Sequence, residues 1–298
     1  MNSALYLIIL ALHVLISSCW GFSANIAKTV IPLRVLQDEK AKPKTMKLDG
    51  KIPVRSRSVP IDTTEVDTIQ IWELEEPSKL MEMWWSADLD PSATVKKEKI
   101  GDPFGVIMWP GSILASKELV KHRDQVANST VLVLGAGTGV EAQCAALLGA
   151  SKVIAIDISK LTLKLLRFGA EQAGVGDIVE PLQFDLFSGE PLPPCDILVA
   201  ADVLYNEELA RQIGKRVIEV QSRGSPPALL ITDSQRFHGT DFLQEVNDVF
   251  PDRLPLEWEY FELQNVRGSG VMISGDQTYD ATTRMVSMGW GLDTTLNE

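Results

Sequence analysis

Apolar and polar positions along residues 130–159 change period twice, and the changes mark out a strand, a turn, a helix and a second strand. Residues 131–134 (VLVL) form an unbroken apolar run of the length expected for a strand buried on both faces. A turn through Gly135, Ala136, Gly137, Thr138 and Gly139 leads into a helical stretch over residues 140–148, which Gly149 stops. A second apolar run, residues 153–156, ends on Asp157. Ser159 can cap the next helix, whose apolar positions are Leu161, Leu165 and Phe168 and which ends at Gly174. Further strands are predicted at 178–184, 197–200 and 228–232, with helices over 206–220 and up to residue 250. Residues 258–266 and 285–290 complete the pattern as an antiparallel pair around a glycine-rich polar connection. The fold class is α/β: a doubly wound, mostly parallel seven-stranded sheet.

Upstream, residues 61–85 contain two strand-like runs around Glu75-Glu76-Pro77-Ser78, which predicts a β-hairpin extension. Residues 88–102 are polar and lysine-containing, a loop. Trp109-Pro110 then breaks the chain, and Ser112 can cap a helix with Ile113, Leu114, Leu119 and Val120 on its apolar face.

The first 60 residues differ from the rest in charge. They carry nine Lys/Arg and three Asp/Glu, a balance of +6, whereas residues 61–298 balance at −18. An acidic domain repels phosphate backbones, so nucleic acid is a poor partner and a lysine-bearing protein segment a better one. Residues 4–16 are apolar except for His13, too short for an easy membrane span but the length of a signal-peptide core. Small residues at Ser18, Cys19 and Gly21 precede Phe22, which places a cleavage point after residue 21. Residues 22–60 are basic and hydroxyl-rich without a sustained apolar period, and are read as a transit-peptide-like or disordered segment. A signal core followed by a phenylalanine-led basic tract resembles the bipartite presequences of algae with secondary plastids, with plain secretion as the alternative. The expected folded unit is then 61–298, a monomer with no transmembrane span. Cys19, Cys144 and Cys195 form no disulfide framework, and the three histidines are scattered, so no metal site is expected.

The chemistry is written at the first turn. Glycines there let the backbone fold tightly and approach a ligand, and an acid at the tip of the second strand can accept from both hydroxyls of a ribose. These features point to a nucleoside-containing cofactor. The dinucleotide fingerprint G-x-G-x-x-G would put its last glycine at Val140, whereas this chain reads G-x-G-x-G. None of the four tyrosines has a lysine four residues on, so the Tyr-x-x-x-Lys pair of short-chain dehydrogenases is missing. The G-x-G-x-G turn resembles the first motif of class I methyltransferases that use S-adenosylmethionine. With the Trp-Pro segment and helix just upstream of VLVLGAGTG, residues 65–290 resemble the seven-strand protein lysine methyltransferases of the methyltransferase-16 family.

That resemblance implies roles. Trp109 would line the cofactor pocket with Gly135, Ala136, Gly137, Gly139, Asp157 and Ala201. Asp185 and Leu186, after the third strand, stand where class I methyltransferases hold adenine: the Asp side chain accepts from the exocyclic amine and the next N–H donates to the ring. Asp202 and Tyr205 match the Asp-x-x-Tyr spacing of the lysine-methylating members, in place of the Asn/Asp-Pro-Pro-Tyr run of other amino-group methyltransferases. Tyr205 would orient the acceptor amine; Asp202 would hold the lysine or the loop that presents it. The expected reaction is methyl transfer to a protein lysine ε-amine. A small-molecule N- or O-methyltransferase and a catalytically silent cofactor-binding module remain as alternatives.

Overall fold

Five strands that read as apolar or strand-like runs lie side by side and parallel. In the computed structural model, which describes residues 44–80, 82–83, 103–234, 238–250, 255–267 and 278–290, the first strands form a separate small sheet. These are β1 (Thr45–Leu48), β2 (Ile52–Pro60) and β3 (Thr68–Leu74), all antiparallel. After a single 3-10 turn (Phe104–Val106) come α1 (Pro110–Lys121) and the one-turn α2 (Arg123–Val126). The main sheet then begins with β4 (Thr130–Leu134), α3 (Val140–Leu147), β5 (Lys152–Asp157), α4 (Lys160–Gln172) and β6 (Val179–Gln183). It continues through β7 (Ile197–Ala201), α5 (Glu207–Gln221), β8 (Ala228–Asp233), α6 (Gly239–Val249), β9 (Glu259–Arg267) and β10 (Thr278–Met288).

The seven strands of the main sheet run in the order β6-β5-β4-β7-β8-β10-β9. The first five are parallel; β10 returns antiparallel against β8, and β9 pairs antiparallel with β10. The predicted doubly wound sheet is therefore observed. The chain works outward from β4 to β6 and then crosses back to β7 on the other side of β4. That reversal opens a crevice beyond the carboxyl ends of β4 and β7. The register sets Leu134 opposite both Ile156 and Ala200, so the turns after β4, β5 and β7 leave the sheet at one level.

Alternation within each buried strand divides the core in two. Val131, Val133, Val153, Ala155 and Val199 face one cluster, with Ile113, Leu114 and Leu119 of α1 and the small residues of α3. Leu132, Leu134, Ile154, Ile156, Leu198 and Ala200 face the other, with Ile213 and Val217 of α5 and Phe242 of α6. A strand buried on both faces must be apolar at every position, which is why β4, β5 and β7 read as continuous runs.

Three expectations are corrected. The basic tract contains structure: β1 and β2 occupy residues that were read as unfolded. Arg57 is buried on the same face of β2 as Val59, and this buried charge hides the period-2 pattern. Its partner is Glu73 of β3, fully buried, whose Oε2 accepts from Arg57 Nε at 2.8 Å. Second, the expected N-terminal hairpin extension is present but one strand earlier: β3 pairs with β2. Residues 77–80, read as its turn and second strand, are helical, with Pro77 at the helix start where its missing N–H costs nothing. Third, α1 starts at Pro110 with Trp109 as its flanking residue, so Ser112 lies inside the first turn and caps nothing. The loop expected over 88–102, the presequence before residue 44 and the connection over 268–277 lie outside the described residues. Among the described residues no helix is long and apolar enough to cross a membrane.

Candidate active site

A cavity of about 660 Å³ opens across the tips of β6, β5, β4 and β7. Every residue singled out from the sequence except Gly139 lines it: Trp109, Gly135, Ala136, Gly137, Asp157, Asp185, Leu186, Ala201, Asp202 and Tyr205. The turn after β4 takes left-handed backbone at Gly135, Gly137 and Gly139, with φ of 61°, 51° and 83°. Gly139 is glycine for packing as well: a Cβ there would stand 2.7 Å from Leu166 Cγ of α4. It holds the turn against its neighbour and does not form the cavity wall.

Asp157 fastens this turn. Its Oδ2 accepts from Gly137 N at 3.2 Å and its Oδ1 from Ser159 N at 2.8 Å, while Ala136 N donates to Ile156 O. These bonds orient the carboxylate at the edge of the cavity that it lines. Asp185 likewise ties its own turn, Oδ1 accepting from Phe187 N at 2.9 Å. The Leu186 carbonyl accepts from Gln212 and from the buried guanidinium of Arg216, which also bonds the Ser188 and Glu190 carbonyls and so fixes the whole loop.

At the other end of the cavity, Asp202 sits in left-handed backbone (φ 55°) and is buried. Its Oδ2 accepts from Gly111 N in the first turn of α1, and its Oδ1 accepts from both the backbone N–H and hydroxyl of Ser234 at 2.6 Å. A carboxylate at a helix N-terminus is favoured by the helix dipole and satisfies an otherwise orphaned donor. Tyr205 is half-buried, its ring 5.2 Å from that of Phe104. Phe104 also lies 6.5 Å from the Trp109 ring, and its carbonyl accepts from Trp109 Nε1 at 2.9 Å. Three aromatic rings thus gather at one side of the cavity. The small sheet holds them there: Glu73 Oε1 accepts from Met108 N at 3.1 Å, immediately before Trp109.

Reading the sequence missed several cavity residues. Phe104, Ile158, Phe187, Ser112 and Glu141 all line it. Ile158 and Phe187 are about half exposed, unusual for large apolar side chains, and offer flat cover for an apolar ligand face. Ile158 follows Asp157 directly, a signal that was available. Glu141 was hidden because a charge one residue into a helix reads as solvated surface. It is in fact fully buried, and burial pushes its carboxyl up to about 7. Among the described residues no group of three or more His, Cys, Asp or Glu side chains is placed to hold a metal.

A doubly wound sheet with a pinned glycine turn, an acid at the tip of the adjacent strand and an acidic, partly aromatic cavity at the switch point defines a class I methyltransferase. The chain belongs to the family described as lysine methyltransferases, whose pattern it matches over residues 88–249, more than half its length. Similar curated proteins include the human electron transfer flavoprotein beta subunit lysine methyltransferase, 30% identical over 128 residues, 43% of this chain and 45% of that protein. The Xenopus laevis protein of the same name is 34% identical over 112 residues, 37% of this chain and 44% of that protein. Another Xenopus laevis protein, the histone-arginine methyltransferase METTL23, is 31% identical over 114 residues, 36% and 48% of the two chains. The chain spans about half the length of the curated relatives it matches. The cofactor is S-adenosylmethionine, and the residues present suit it. Asp157 offers acceptors for a ribose, Ile158 and Phe187 offer apolar cover for a base, and the acids beside the glycine turn suit a cationic amino-acid end.

Proposed function

We propose that this chain transfers methyl groups to the ε-amine of a lysine in a protein. The observation that carries the reading is the aromatic group formed by Tyr205, Phe104 and Trp109 beside Asp202, at the end of the crevice where β7 stops. Ring faces attract an ammonium and its methylated forms. The family match and the relatives' names support a protein acceptor. When bound, the cofactor supplies a methyl carbon already activated on a sulfonium.

The chain's own work is then positioning. Asp157, the glycine turn, Asp185 and Leu186 hold the nucleoside, while Trp109, Ala136 and Ala201 close around it. Tyr205 orients the acceptor nitrogen, and alignment of a neutral amine supplies much of the rate. Asp202, whose two oxygens already accept from Gly111 and Ser234, acts as a positioning residue: it holds the loop bearing Tyr205 against α1. The acceptor loses its proton to water, helped by a lowered amine pKa beside positive charge.

The test is incubation of the full chain with isotopically labelled cofactor and a protein extract, followed by mass spectrometry. Label on lysine ε-nitrogens is expected. Label confined to arginine, to which the METTL23 relative points, or to small molecules would replace this reading.

A further inference from the structure

The amino-acid end of S-adenosylmethionine carries an α-ammonium and a carboxylate in addition to the sulfonium. The cavity runs from Asp185 past Asp157 and the glycine turn to the β4–β7 crevice, so the nucleoside acids stand at one end and the amino acid falls at the other. At that end lies Glu141, the second residue of α3, only 1% exposed and lining the cavity. Ser112 of α1 lines the cavity beside it. Its Oε2 has no hydrogen-bond partner among the described residues. A buried carboxylate oxygen left unpaired costs free energy that a cationic ligand would recover.

We propose that Glu141 receives the α-ammonium of the cofactor, its Oε2 accepting the hydrogen bond that the ligand-free protein leaves unmade. The inference rests on the cofactor and is independent of which acceptor is methylated. The groups that bear on Glu141 are Asp202 beyond β7, the Cys144 thiol on its own helix and, along the same cavity, Asp157. Without ligand, desolvation foremost keeps the carboxyl protonated to about pH 7, the Asp202 charge adding to it against the pull of Glu141's own backbone N–H. An arriving ammonium favours the carboxylate, so Glu141 gives its proton to solvent as the ion pair forms.

Calorimetric titration of the full chain at pH 6, in two buffers of different ionisation enthalpy, reads that proton. Three ligands divide the possibilities: S-adenosylmethionine, S-adenosylhomocysteine, which keeps the ammonium but lacks the sulfonium, and methylthioadenosine, which lacks the amino acid. The first two should each release roughly nine-tenths of a proton, the protonated fraction of an acid of pKa about 7 at that pH, and methylthioadenosine close to none. Glu141→Gln should abolish the release and weaken the first two ligands equally, by roughly ten- to hundred-fold, the scale of a charge-assisted bond. Methylthioadenosine should bind the variant within about two-fold of the parent, on the same scale.

Release with S-adenosylmethionine alone would move the contact to the sulfonium and overturn the proposal. Undiminished binding by Glu141→Gln would overturn it too, since a neutral acceptor would then suffice. Equal weakening of all three ligands would make Glu141 a general support of the cavity wall. If the variant fails to fold, the parent's contrast between S-adenosylhomocysteine and methylthioadenosine decides alone. Failure of all three to bind the parent would instead sink the cofactor reading itself.

Discussion

Asp202 accepts a hydrogen bond from the backbone N–H of Gly111, so the strand end that carries the Asp-x-x-Tyr run is tied to the helix that follows Trp109. The same carboxylate holds Ser234 beyond β8. Asp202→Ala leaves the buried Gly111 N–H and the Ser234 N–H without their acceptor. Chemical denaturation should show a loss of about 2–4 kcal/mol, the scale for orphaning two donors. A variant as stable as the parent would show that the carboxylate serves the ligand alone.

Tyr205 should behave differently, because its ring packs on Phe104 at the rim of the cavity, where an acceptor would enter. Tyr205→Ala should leave cofactor affinity within a few-fold and lower methyl transfer about ten-fold or more, roughly 1.4 kcal/mol of transition-state stabilisation. Tyr205→Phe separates ring from hydroxyl: a mild effect assigns the work to the aromatic face. Transfer at the parent rate by the alanine variant would remove Tyr205 from the reaction.

Two glycines of one turn should fail in different ways. Gly139→Ala drives a Cβ toward Leu166 and should lower stability as well as cofactor affinity. Gly137→Ala meets no atom closer than 3.5 Å, so only the left-handed backbone is strained, about 1–2 kcal/mol. Thermal melts with and without cofactor check the pair; equal melting temperatures for the two ligand-free variants would contradict the packing argument.

Glu141 gives the ligand-free protein a pH dependence of known sign. Its folded carboxyl titrates near 7 and its unfolded one near 4.5, so between these values the folded state binds more protons. Stability from this group is therefore full below about pH 4.5 and is lost as pH rises through 7, by about 3 kcal/mol in all. Denaturation at pH 5 and pH 8 should show this fall in the parent relative to Glu141→Gln. Parallel profiles would mean the acid is solvated.

Thiol chemistry should be slow. Burial pushes Cys144 up to about 12 and Cys195 up to about 11, so little thiolate exists at pH 8. Labelling of the native chain by a disulfide reagent should be far slower at these two positions than after denaturation. Comparable rates would show that the helix carrying Cys144 opens readily.

The address of the chain is a separate proposal, that its leading residues carry a signal and then a plastid-targeting tract. Because β1 and β2 occupy residues 45–60, the fusion that tests it joins residues 1–43 to a fluorescent protein in an alga with secondary plastids. A cytosolic signal would remove the whole scheme, and a secreted one only its plastid half.

What was legible follows from how each element is buried. The runs at β4, β5 and β7 are apolar throughout because both of their faces are covered, and a turn with glycine at three left-handed positions leaves little else for those residues to be. Asp157, Asp185 and Asp202 could be found because strand ends in such a sheet are functional places. Arg57 and Glu73 could not, since a buried ion pair looks like surface from either residue alone. Glu141 was lost for the same reason. Phe104 joins Tyr205 at the cavity from a distant part of the chain, a long-range arrangement that spacing does not encode.

The Arg57 guanidinium that neutralises Glu73 also donates to the Arg267 carbonyl, 210 residues away. Glu73 in turn holds Met108, and so Trp109, at the rim. The first strands thus depend on β9: the full chain of bonds behind the aromatic rim exists only once residue 267 is in place. A cavity whose floor is built from β4, α3 and β5 therefore takes its doorway from strands at both extremes of the fold.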